Sequence, residues 1–211
     1  MSFEHRWPDP PAALILSGGA SQRFGGEPKS LLEIGGEPAI ARMVRISDEL
    51  GLDPIVVVAG PHERRIREAL RDHAREVVPN PNWAQGRTGS IQRGLSTIPP
   101  ERSVLLWPVS HSLVAPGTIR TLLQVRSQEE LPVWFLPTFR GRGGHPVLFA
   151  PSVRDLINQL GPASPLRTLL SRIGLLVDRI PVEDPAVVAS LDTPATFLAA
   201  LAAWRERGGD R

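Results

Sequence analysis

Residues 14 to 29 read LILSGGASQRFGGEPK, an order of residue types suited to holding phosphate. An apolar run, Ala12 to Leu16, stops at Ser17, Gly18, Gly19, Ala20 and Ser21, and the loop beyond carries Arg23, two more glycines and Lys29. Glycine lets backbone N–H groups approach an anion with no Cβ in the way, and Arg23 and Lys29 add full charge to those dipoles. Lys29 is the single lysine among 24 basic residues. In a chain that otherwise uses arginine, a compact ammonium here suits one phosphate oxygen better than a planar fork would. The competing reading is a lysine left on the surface by chance. Two familiar phosphate loops do not fit. A Walker loop needs glycine immediately before its lysine, where Pro28 stands, and a dinucleotide fingerprint needs spaced glycines and a helix that opens at once.

Four other segments carry chemistry. Residues 80–94, NPNWAQGRTGSIQRG, offer Asn80, Gly86, Ser90 and the backbone near them to a nucleobase edge. Capping of the next helix by Thr88 or Ser90 explains those hydroxyls equally well, and the two roles are compatible. Residues 140–146, RGRGGHP, alternate Arg140 and Arg142 with glycines beside His145. Such a segment can grip a second phosphate, or simply form a hairpin tip with solvated arginines. Residues 108–114, PVSHSLV, place Ser110 and His111 after an apolar run, and Asp192 precedes Thr193-Pro194, where a helix N-terminus is expected.

In this order the segments resemble the MobA-like nucleotidyltransferases, of molybdenum cofactor cytidylyltransferase and guanylyltransferase type. Leu16, Gly18, Gly19, Ser21, Arg23, Phe24, Gly25 and Lys29 fall on the family pattern Leu-x-(Ala/Gly)-Gly-x-Ser-x-Arg-(Met/Phe)-Gly followed by lysine. Asn80, Trp83, Gly86 and Ser90 follow its base-recognition segment, and residues 140–146 its Arg-x-Gly-His-Pro segment. The resemblance implies that Leu16, Ser17, Gly18, Gly19, Ser21, Lys29, Asn80, Gly86 and Ser90 bind nucleotide, and that Lys29 and Arg23 carry catalysis by holding the triphosphate. Arg140, Arg142 and His145 would face the acceptor. The family's Mg²⁺-binding aspartate after the strand is here Ser110, and its proline is Ser112. A neutral hydroxyl is a poor magnesium ligand and the His111 imidazole a softer one than magnesium prefers. Asp192 matches a second family motif whose aspartate, the resemblance implies, can also face the metal, and capping of the helix at Thr193-Pro194 explains it equally well.

The implied reaction moves a nucleoside monophosphate from an NTP to a phosphorylated acceptor, molybdopterin by resemblance, and releases pyrophosphate. CTP stands slightly ahead of GTP: Gly18-Gly19 resembles the guanylyl branch, whereas the Gly86 and His145 segments resemble the cytidylyl branch. Ser110 favours a second reading, a non-catalytic relative that binds nucleotide or cofactor and assists a molybdoenzyme partner in maturation. The third, an unrelated doubly wound binding protein, is opposed by four motifs in family order.

The elements that must position these residues read as α/β. Ala12 to Leu16, Pro54 to Ala59 and Ser103 to Val109 are unbroken apolar runs expected as parallel strands buried on both faces. Helices are expected at 39–50, 63–71, 91–97, 116–126, 152–160, 165–173 and from Asp192-Thr193-Pro194 to about Arg207, with a short strand at 76–78 and another near 175–181. The expected fold is a single Rossmann-like, doubly wound, mostly parallel sheet, with a small antiparallel excursion from strands at 131–139 and 146–149. One domain, 12–207, lies between tails at 1–11 and 208–211.

The chain has 211 residues, 41% hydrophobic and 22% charged, as in soluble globular proteins. It has no cysteine, which removes disulfides and thiolate sites. The isoelectric point near 10.2 reflects arginine, with a formal net charge of only +2 and no basic stripe that would serve a nucleic acid. No apolar run approaches the roughly 20 residues of a membrane span, and the first residues lack an apolar signal core. A cytoplasmic protein is expected.

Overall fold

The computed structural model describes residues 9–71, 76–124, 134–172 and 177–210. The expected N-terminal tail up to residue 8, Arg211, and the parts of expected elements at 125–126, 131–133, 173 and 175–176 lie outside them. The first half of the chain forms β1 (Ala12–Ser17), β2 (Glu33–Ile34), β3 (Glu37–Pro38), α1 (Ala39–Glu49), β4 (Ile55–Ala59), α2 (Glu63–Leu70), β5 (Glu76–Pro79) and α3 (Arg87–Leu95). The second half adds β6 (Val104–Pro108), α4 (Pro116–Leu123), β7 (Trp134–Phe139), β8 (Arg142–Gly143), β9 (Val147–Phe149), α5 (Val153–Asn158), α6 (Arg167–Arg172), β10 (Val177–Pro181) and α7 (Pro194–Glu206).

Every residue of β1, β4 and β6 is buried, which is why their sequences show no polar alternation. Along β1, Ala13 and Ile15 enter one core with α1, α2, α4 and α7, while Ala12, Leu14 and Leu16 enter the other with α3, α5 and α6. Each fully buried Leu, Ile or Val contributes about 1.5–3 kcal/mol. The sheet order is β10-β7-β9-β6-β1-β4-β5, with β8 paired to β7. Pairings β1–β4, β1–β6, β4–β5 and β10–β7 are parallel, and β9 runs antiparallel between β6 and β7. The doubly wound, mostly parallel sheet with one antiparallel excursion is therefore the observed architecture. β2 and β3 form a small separate antiparallel hairpin about Gly35 and Gly36, both at positive φ.

Topology gathers the functional segments. The loops after β1, β5 and β6 leave the same carboxyl edge, and β9, running the other way, starts there. Its register pairs Val147 with Leu106, so His145 arrives beside the segment that follows β6. Two local expectations change. Helix α3 begins at Arg87, ahead of the expected Ile91, so Thr88 and Ser90 are helical and neither caps; the cap residue is Gly86, with no side-chain bond. The cap of α7 is Thr193, which exchanges hydrogen bonds with Thr196 in a capping box and leaves the Asp192 carboxylate free for other work.

Candidate active site

A cavity of about 290 Å³ opens at the carboxyl ends of β1 and β6, where strand order reverses across β1. That switch point is where open α/β sheets bind ligands. Leu16, Gly18, Gly19 and Lys29 form one wall, Trp83, Ala84, Arg87 and Ser90 a second, and Pro108, Val109 and Ser110 the third. The loop after β1 is shaped by close approach. A Cβ on Gly60 would lie 2.2 Å from the Gly18 carbonyl oxygen, so the β4–α2 connection lets the loop pass only as glycine. Ser21, at φ 52, turns the chain and its Oγ accepts from the Lys29 backbone N–H at 3.1 Å.

Lys29 Nζ donates to Asp192 Oδ1 at 2.8 Å, and Ser190 Oγ donates to Asp192 Oδ2 at 2.6 Å. Burial by itself would raise the Asp192 carboxyl, but the Lys29 and Ser190 hydrogen bonds, with the charges of Lys29 and Arg87, outweigh it and hold it below its ordinary range. On the second wall Asn80 Nδ2 donates to Ser90 Oγ at 2.9 Å, and Thr88 Oγ1 to the Ser164 carbonyl at 2.5 Å. These bonds fix the start of α3 against the cavity.

The segment after β6 is held at nearly every carbonyl. Ser110 O accepts from Leu191 N at 2.9 Å, and His111 O from Trp107 Nε1 at 2.9 Å. Ser112 O and Val114 O, the latter at 3.1 Å, accept from the guanidinium of Arg42, a fully buried residue of α1. Asp210 neutralises that guanidinium after a turn at Gly208 and Gly209, both at positive φ, and the Trp204 ring lies 5.7 Å from it. Residues 208–210, expected as a tail, thus pack behind the site.

Ser110 Oγ and His111 Nδ1 share a hydrogen bond of 3.1 Å, and the His111 and His145 rings lie 4.9 Å apart. Burial, then the neighbouring His145 and Arg87, pushes the His111 imidazole down to about 3; burial and Arg87 push His145 down to about 4. Both rings are neutral near pH 7. Because the unfolded chain takes up protons below about pH 6.5 that the folded chain refuses, their stability contribution is full above that pH. It is lost as pH falls toward the folded values, about 2 kcal/mol for each ring at pH 5. Urea unfolding at pH 8 and pH 5 should show this, and His145→Asn should remove its share.

The structure therefore joins Leu16, Gly18, Gly19, Lys29, Ser90 and Ser110 around one cavity, with Asp192 tied to Lys29. Ser17 and Asn80 are buried just behind it, and Gly86 packs against Pro162. Arg23 is exposed in the 3-10 turn Gln22–Phe24, outside the lining. Arg140 and Arg142 are exposed on the β7–β9 hairpin, Arg140 lying over the Phe139 ring, so only His145 of that group reaches the segment after β6. Arg87 was overlooked. Its signal was available: an arginine immediately after a glycine, at the start of a helix that follows a strand.

The MobA-like NTP transferase domain model matches residues 13–177, most of the chain. The chain belongs to the MobA-like NTP transferase family. A molybdenum cofactor guanylyltransferase of Ectopseudomonas mendocina (strain ymp) is 29% identical over 90% of this chain and 92% of its own. One of Pseudomonas fluorescens (strain SBW25) is 35% identical over 47% and 48%. A 2-C-methyl-D-erythritol 4-phosphate cytidylyltransferase of Geobacillus thermodenitrificans (strain NG80-2) is 34% identical over 44% of this chain and 43% of its own. Among solved structures, a nucleotidyl transferase from Methanothermobacter thermautotroptrophicus superposes with a TM-score of 0.78 at 20% identity, covering 93% of this chain and 98% of that one. Rv0371C of Mycobacterium tuberculosis H37Rv, solved in complex with manganese, has a TM-score of 0.74 at 20% identity, covering 91% and 98%.

Among the described residues no three His, Cys, Asp or Glu side chains come together to hold a metal. Asp192 is already bonded to Lys29 and Ser190, and Ser110 is bonded to His111. Among the described residues no helix is long and apolar enough to cross a membrane.

Proposed function

We propose that residues 12–207 act as one nucleotidyltransferase domain that moves a nucleoside monophosphate from an NTP to a phosphorylated acceptor. The observation that carries this reading is the single lysine standing in the switch-point cavity beside the backbone of Gly18 and Gly19. An acceptor phosphate oxygen attacks the α-phosphorus, a new P–O bond forms, the bond to the β-phosphate bridge breaks, and pyrophosphate leaves. Such a step asks the protein for in-line positioning and charge and needs no nucleophilic side chain. Lys29 and the Gly18–Gly19 backbone hold the triphosphate, with Arg23 exposed on the same loop outside the lining, the Asn80–Ser90 wall reads the base, and His145 lies toward the acceptor, with Arg140 and Arg142 on the exposed hairpin beyond it.

The names of the guanylyltransferase relatives and the Gly18-Gly19 pair support GTP. The Gly86 and His145 segments and the cytidylyltransferase relative support CTP. The relatives' names also support a molybdenum-cofactor acceptor. Magnesium, in this reading, arrives with the triphosphate, whose oxygens supply most of its ligands. A second reading, nucleotide binding without turnover in the service of a molybdoenzyme, is favoured by one observation: the family's metal carboxylate is a buried serine bonded to His111.

Pyrophosphate release over the four NTPs with molybdopterin separates the two. Turnover is expected with GTP or CTP and not with ATP or UTP. Ser110→Asp restores a carboxylate, and the Mg²⁺ concentration for half-maximal turnover should fall by about tenfold, the equivalent of roughly 1.4 kcal/mol. If both proteins bind nucleotide yet neither releases pyrophosphate, the non-catalytic reading replaces this one.

A further inference from the structure

Arg87 lines the cavity together with Lys29 and Ser110, yet among the described residues no ion pair or hydrogen bond holds its guanidinium. Lys29, by contrast, is already paired with Asp192. Among the described residues no acidic side chain lines this cavity, and Asp192, the carboxylate that feels the Arg87 charge, is bonded to Lys29 and Ser190, so Arg87 is an exposed cation at the cavity wall with no counter-ion bonded to it. Its own position adds to the field. It is the first residue of α3, whose Gly86 cap supplies no side-chain acceptor, so the positive end of the helix dipole and the amides of its first turn lie beside the guanidinium. Of those amides, Gly89 N donates to Pro162 O at 3.2 Å. Ser110, on another wall of the same cavity, is the neutral residue at the position where the family pattern has a metal-binding carboxylate. A carboxylate there would have drawn in a divalent cation; a serine leaves the cavity's positive charge to side chains.

We propose that Arg87 is a triphosphate-binding residue that, with Lys29, supplies from the protein part of the charge neutralisation a metal held at position 110 would provide. This rests on reading the cavity as the nucleotide site. A planar, permanently charged fork presents two N–H groups to two phosphate oxygens in a fixed bidentate geometry, which a lysine's rotating ammonium does not pre-organise. Phosphate binding should therefore persist when divalent cations are removed.

The test is calorimetry in excess EDTA with inorganic tripolyphosphate, GTP and CTP, on wild type, Arg87→Gln and Arg87→Lys. Wild type is expected to bind tripolyphosphate under chelation, Arg87→Gln to weaken it by about tenfold or more, and Arg87→Lys to recover only part. Thermal midpoints should be unchanged, because Arg87 is exposed and unpaired. Tripolyphosphate affinity unaltered in Arg87→Gln overturns the proposal. So does wild-type binding that appears only with added Mg²⁺, and so does a loss confined to GTP or CTP, which would put Arg87 on the base. Arg87-dependent binding without pyrophosphate release would instead support this inference while removing turnover from the proposed function.

Discussion

Replacing Arg42 with alanine is expected to lower the unfolding free energy by about 3–5 kcal/mol, because it removes a fully buried guanidinium and leaves the carbonyls of Ser112 and Val114 without their side-chain donor, while Asp210 keeps Arg45. The side chain is fully buried, it donates to the carbonyls of Ser112 and Val114, and it carries the counter-charge of Asp210. None of these acceptors finds a substitute in an alanine. The residues it holds continue directly from Ser110 and His111, so turnover should fall as well as stability. Arg42→Lys keeps the charge but loses the fork that reaches two carbonyls and a carboxylate together, and should lie between the two. Urea denaturation with the three proteins measures the effect. A loss below about 1 kcal/mol would mean that the freed carbonyls find other partners, and that the clamp on the segment after β6 is weak.

Lys29→Ala is expected to cost about 10²–10³ in turnover, the usual effect of deleting one donor aimed at transition-state charge. The fold should tolerate the change. The Lys29–Asp192 pair keeps 18% and 43% of its side-chain surfaces exposed, and pairs of that kind contribute no more than about 1 kcal/mol. Pyrophosphate release, NTP calorimetry and a thermal midpoint measured on the same preparation distinguish these effects. Unchanged affinity for every NTP would take Lys29 out of the site. Asp192 makes the experiment informative in a second way: without Lys29 its carboxylate keeps the Ser190 hydrogen bond and the nearby charge of Arg87, and one of its oxygens becomes available to a cation that arrives with the nucleotide.

What could be read in the chain before its structure was whatever neighbouring residues impose on one another. Strands β1, β4 and β6 announced themselves because burial on both faces favours unbroken apolar runs, interrupted only by Ser17 where β1 ends, and the alternation of strands with helices then pointed to a parallel sheet. The glycine-rich loop and its single lysine are also local, since backbone N–H groups and a nearby ammonium need only adjacency in sequence. Tertiary structure decided the rest. Asp192 meets Lys29 across 163 positions, and Arg42 meets Asp210 across 168. No spacing rule connects such residues. Which of Asp192 and Thr193 would cap α7 was open, because either side chain can accept the amide bond; the bond to Lys29 shows how the carboxylate was used once Thr193 took the cap. His145 lies against His111 only because β9 runs antiparallel between β6 and β7, and Arg87 enters the cavity only because α3 starts four residues earlier than its apolar residues announce. The polar first turn of a helix carries no apolar period, so its position is settled by packing, here the contact of Gly86 and Gly89 with Pro162.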